Sequence, residues 1–122
     1  MRYKLAILLN GIAQIEYDRS VPLDAKLADY LDNMDGKMNV GISIGEQQIP
    51  SPTDEQKAEF VASNLYHAIK GNNEAMASAM TSYLAVRIAD LKQVKLNDKD
   101  GNVTIELTYD EIYSGQVAVQ FN

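Results

Sequence analysis

The sequence predicts an α+β domain, mainly helical, in which an antiparallel helix pair (about 52–70 and 74–93) packs on a small C-terminal antiparallel sheet, with two shorter N-terminal helices before it. Three observations carry this expectation. Two amphipathic stretches between Ser51 and Gln93 are joined only by Lys70-Gly71-Asn72-Asn73, a connection short enough to force the helices to fold back as antiparallel neighbours. Beyond Gln93 the apolar period changes from helical to alternating, as strands require. The 122 residues are 46% hydrophobic and 23% charged, which is the makeup and size of one globular domain, so residues 1–122 read as a single unit.

The first segment, 3–17, carries two competing signals. Asn10-Gly11 between apolar runs is a hairpin turn pair, yet Leu5, Leu8, Leu9, Ile12 and Ile15 follow helical spacing. A regular two-residue hairpin would set Leu5 against Glu16 and Ile7 against Gln14, mixing polar and apolar groups on one face. The helical stripe is cleaner, so a helix is expected, at a cost of about 1 kcal/mol for Gly11.

Ser20-Val21-Pro22 starts the next helix, with Ser20 as N-cap and Pro22 in the first turn. Leu23, Leu27, Tyr30 and Met34 then share one face, and Asp35-Gly36 ends the element by its turn chemistry. From Met38 to Ile49, Val40, Ile42 and Ile44 alternate with polar or small residues, which reads as a strand or extended arm.

Thr53 followed by Gln56 matches a capping box for the long helix, and Gly71 is its expected left-handed terminator. Asn72 or Asn73 caps the following helix, whose stripe is Ala77, Met80, Leu84, Ile88 and Leu91. Val94 and Leu96, a polar turn at 97–102, and Val103, Ile105, Leu107 and Tyr109 then read as a hairpin. A last strand is expected at Gln116 to Phe121.

Charge limits the partners. A net charge of −6 and a pI near 4.6 repel nucleic-acid phosphate and anionic lipid, so neither nucleic acid nor membrane is an expected partner. With no cysteine there is no disulfide framework or thiolate chemistry, and a cytoplasmic location is expected. The apolar run Leu5-Ala6-Ile7-Leu8-Leu9 is broken by Asn10-Gly11 and is short for a signal peptide.

The candidate motifs are sparse. Asp98-Lys99-Asp100-Gly101-Asn102 resembles the start of an EF-hand loop, but Val103 stands at the sixth position, where glycine is required, and Tyr109 at the twelfth, where the bidentate glutamate belongs. A hairpin turn is the expected reading. The single histidine, His67, falls on a helical strip with Phe60 and Asn64, opposite Val61, Leu65, Ala68 and Ile69; that strip is a candidate contact surface for a partner, a second subunit or the C-terminal strands. Arg87, four residues after Tyr83, reads as a snorkelling arginine, or else as the first contact for a ligand carboxylate. Met34 with Met38 and Met76 with Met80 are spaced at four residues, which suits core filling or an adaptable groove. Asp24, Asp29, Asp32 and Asp35 fall at different angles and read as solvated. No G-x-S-x-G motif accompanies Ser78, Ser82 or Ser114, and one imidazole supports no metal cluster.

These observations favour a non-enzymatic protein acting through protein–protein contacts, as an adaptor, accessory subunit or regulator, with a protein partner or homodimer and no cofactor. The alternative is a small-molecule binding protein or minor enzyme with a pocket between the helix pair and the sheet. Phe60, Asn64, His67, Tyr83 and Arg87 are the candidate binding residues; no catalytic or metal-ligating residue is assigned.

Overall fold

The computed structural model describes residues 4–20, 23–44 and 46–110. Strands β1 (Leu5–Leu9) and β2 (Ile12–Tyr17) form an antiparallel hairpin. This corrects the helix expected over 3–17. Asn10 and Gly11 take φ of 52° and 83°, the pair of left-handed residues that a tight hairpin turn of matching twist requires. The register then slips at a bulge between Ile7 and Leu8, so that Leu5 opposes Tyr17 and Ile7 opposes Ile15. One extra residue therefore removes the polar–apolar mismatch of a regular hairpin and brings the large apolar side chains to one face. Gly11→Val is expected to cost about 1–2 kcal/mol of stability in urea melts, because it forces a β-branched residue into the left-handed region.

Helix α1 (Ala25–Asn39) starts at Asp24, whose carboxylate accepts from the Leu27 amide at 2.8 Å. Ser20 is not the cap; its amide and hydroxyl both donate to Asp18. The helix also runs through Asp35-Gly36 rather than ending there, since burial of Met38 in the core offsets the roughly 1 kcal/mol that an interior glycine costs. A short hairpin follows, β3 (Ile42–Ile44) with β4 (Gln47–Ile49).

Helix α2 (Asp54–Lys70) has the expected capping box, with Thr53 and Gln56 bonded reciprocally. Helix α3 (Glu74–Arg87) begins at Asn73, which accepts from the Met76 amide. Between them Gly71 keeps a φ of −90° and Asn72 takes the left-handed turn at 56°, so the expected roles of these two neighbours are exchanged. The second helix of the pair ends at Arg87, short of 93. Its last carbonyls are held by Arg19, whose guanidinium donates to the oxygens of Ala85 at 3.1 Å and Ile88 at 3.0 Å, a favourable place for a cation.

Strands β5 (Gln93–Asn97) and β6 (Thr104–Thr108) form a further antiparallel hairpin, turning through a 3-10 segment at Lys99–Gly101. The sheet order is β2-β1-β5-β6, with β1 and β5 parallel and Ile7 beside Val94. The expectation of a small C-terminal sheet below two extra N-terminal helices is thereby overturned: the sheet is mixed, four-stranded and half N-terminal, and among the described residues α1 is the one helix before the pair. Leu5, Ala6, Ile7 and Leu8 are all buried, in a strand that lies between β2 and β5. The strand expected at 116–121 lies outside the described residues.

The core joins Leu5, Ile7, Val94 and Leu96 from the sheet to Leu65 of α2, Leu84 of α3 and Leu31 of α1. Among the described residues no helix is long and apolar enough to cross a membrane.

Candidate functional site

The i, i+4, i+7 spacing of α2 puts Phe60, Asn64 and His67 on one strip, and in the structure that strip lines a concavity. It forms one wall of an open groove of about 690 Å³ whose other walls come from α1 and α3. Met34 and Met38 enter from α1, Met76 and Met80 from α3, and Val61 and Ala68 from α2. Two spacings that were separate in sequence thus meet across a single concavity.

The groove has a buried floor and an exposed rim. Met38, Val61, Ala68 and Met80 are buried and belong to the core, while Tyr30 and Met76 stand 43% and 41% exposed at the edge. Polar groups surround the apolar floor: Asn33, Lys37, Asn64, His67 and Asn73. His67 itself is exposed, its ring meeting that of Tyr66 edge-on at 5.2 Å. Gly71 lines the end of the groove, where a Cβ would approach the His67 carbonyl oxygen to 3.2 Å.

Tyr83 and Arg87 do not reach this groove. Arg87 reaches α1 instead, its Nη2 paired with Asp32 at 2.5 Å and its Nε with Asp35 at 2.9 Å. The Tyr83 hydroxyl donates to Asp35, and the Lys57 ammonium lies 3.6 Å from the same carboxylate. Burial, reinforced by the Asp35 carboxylate beside it, pushes the Tyr83 hydroxyl well above the usual tyrosine range. The cluster therefore ties α1, α2 and α3 together and spends the Arg87 charge on the protein's own carboxylates. Asp32 and Asp35 looked like solvated residues in the sequence because their partners lie on other helices, far along the chain.

The loop that resembles an EF-hand start is also committed to packing. Asp98 accepts from the Asn10 side-chain amide at 2.7 Å and from the Tyr66 hydroxyl at 2.9 Å, and pairs with Lys70 at 3.1 Å. Its amide returns a bond to the Asn10 oxygen at 3.0 Å. One carboxylate thus joins the β1–β2 turn, the end of β5 and the last turn of α2. Bonds from Asn10, then Lys70 and Tyr66, hold the Asp98 carboxyl down at about 2. A carboxyl lowered on folding stabilises the protein fully above its unfolded value, and that contribution is lost as pH falls through the folded value. Acid titration of stability should therefore show a loss between about pH 4 and pH 2 that Asp98→Asn flattens; equal slopes in both proteins would deny Asp98 this role.

The cavity that β2 forms with the helix pair is small. Gln14 and Ile15 of β2 enclose about 150 Å³ with Ala68, Ile69, Asn72, Asn73, Glu74 and Ala77, below the range that small-ligand sites occupy. None of His67, Tyr83 and Arg87 lines it, whereas Arg87 borders a separate cavity of about 290 Å³ with Asp54, Glu55, Ile88, Ala89, Asp90 and Tyr109. Tyr30, Asn33, Lys37 and Asn73 are groove residues that sequence reasoning missed; the helical spacing of Tyr30 with Met34, and of Asn33 with Lys37, was the available signal.

Fold and site together define a small α+β protein with an open, methionine-lined groove between three helices. No protein-family model, no curated protein and no solved structure matches the chain.

Proposed function

We propose that this is a non-enzymatic cytoplasmic protein that acts by docking an amphipathic helix of a protein partner in the groove between α1, α2 and α3. The observation that supports this most is the convergence of two methionine pairs and Phe60 on one open concavity. Methionine is unbranched and polarisable and adapts to different apolar partners, and helix-in-groove recognition reads such a lining through anchors at i, i+3, i+4 and i+7. An apolar floor ringed by amides, a lysine and an imidazole is the anatomy of a protein interface. The exposed rim suits a long partner lying across it better than a small molecule, which is held by being enclosed.

A peptide of about 15 residues with leucine anchors at that spacing and an uncharged polar face tests the reading. Saturable binding is expected, weakened about tenfold by Met76→Glu or Tyr30→Glu. Both positions are exposed, so the melting temperature should stay close to that of the wild type. Absence of saturable binding, or binding indifferent to both substitutions, would overturn the reading. Light scattering with and without Phe60→Ser identifies a second copy as the occupant if a dimer is present and the substitution splits it.

A further inference from the structure

We infer that the helix docked in this groove is acidic on the edges that flank its apolar face, an inference that rests on the docking reading above. The chain carries 17 acidic and 11 basic side chains, yet among the described residues no carboxylate lines the groove and its ionisable lining is Lys37, His67 and Tyr30. Two acids of α1 are turned away from it. Asp32 and Asp35 are drawn to Arg87 and Lys57 on the neighbouring helices.

Three of the cations are committed within the fold. Lys57, Lys70 and Arg87 are each matched by a carboxylate of the protein. Among the described residues Lys37 has no ion pair, and it stands exposed at the groove on α1 while His67 stands exposed on α2. A helix lying between these walls presents its flanking positions to both, and carboxylates there meet a cation on one side and an imidazole donor on the other. Complementary charge at a rim sets orientation and partner choice more than affinity.

An acidic partner runs against the protein's overall field. A net charge of −6 by itself favours a basic peptide. Three peptides sharing one leucine face, with glutamate, glutamine or lysine on the flanking positions, separate the local effect from the global one; glutamate and lysine have similar helix propensity. At about 0.15 M salt distant charges are screened and contacts within a few ångströms persist. The glutamate peptide is expected to bind about threefold to tenfold tighter than the lysine peptide. Lys37→Gln should remove most of this preference, and Lys37→Glu should reverse it. Equal affinities, or an order with lysine first in the wild type, would overturn the acidic partner while leaving groove docking intact. Failure of all three peptides to bind would overturn the docking reading and this inference with it.

Discussion

Ile7→Ala is expected to lower the unfolding free energy by about 3–4 kcal/mol, whereas Ile12→Ala changes it by less than about 0.5 kcal/mol. Ile7 is fully buried at the centre of the sheet, opposite Ile15 on β2 and beside Val94 on β5. Truncating it removes methylenes from a site walled by two strands and the helices above, which cannot close over the gap. Ile12 begins the edge strand and is 59% exposed. A helix over 3–17 demands the opposite order, because Ile12 lies on the helical stripe, Ile7 lies off it, and alanine is the better helix former. Urea denaturation of the two variants distinguishes the alternatives; a costly Ile12→Ala beside a harmless Ile7→Ala would contradict the hairpin.

Asp35→Ala has the next largest expected effect, a loss of about 2–3 kcal/mol, seen as a fall in melting temperature of about 10 °C. The carboxylate accepts from the Tyr83 hydroxyl and lies against Arg87 and Lys57. Removing it leaves the Lys57 ammonium, whose side chain is only 11% exposed, without its carboxylate, and the buried Tyr83 hydroxyl without an acceptor. Orphaned buried groups cost more than the lost pair contributed. Partial exposure of Asp35 and Arg87 keeps the figure below the range for fully buried pairs. Asp32→Ala should cost less, about 0.5 kcal/mol, since Asp32 is 72% exposed. Thermal melts that rank these two substitutions in the reverse order would show that the link between helices runs through Asp32.

The parts of the fold that local chemistry decides were readable from single residues. Thr53 with Gln56 marks the start of α2, the Asn72-Asn73 pair the start of α3, and the alternation from Val103 to Tyr109 the strand β6. The misread elements are those that distant residues decide. Leu5 to Leu9 is apolar on every residue because β5 covers its edge and both its faces are buried, and such a run is compatible with helix or strand alike. The bulge after Ile7 makes the hairpin's pairing favourable, and no local signal announces it. Gly36 would end α1 on turn chemistry, yet Met38 is buried one turn-fraction later and carries the helix onward.

The candidate site divides along the same line. The strip of Phe60, Asn64 and His67 and both methionine pairs follow from helical spacing. Their convergence does not, because it depends on α1 lying across α2 and α3, and the groups that fix α1 there, Asp32 and Asp35 with Arg87, come together only in three dimensions. Arg87 looked available for a ligand for the same reason.

Docking in the groove is most directly tested by NMR of the methionine methyl groups during titration with the amphipathic peptide. Four of the five methionines line the groove. The account predicts that the Met34, Met38, Met76 and Met80 methyl signals shift together along one saturation curve, and that Met76→Glu weakens the curve without altering the fold. Peptide binding that leaves these four signals unmoved would place the interface elsewhere and contradict the account.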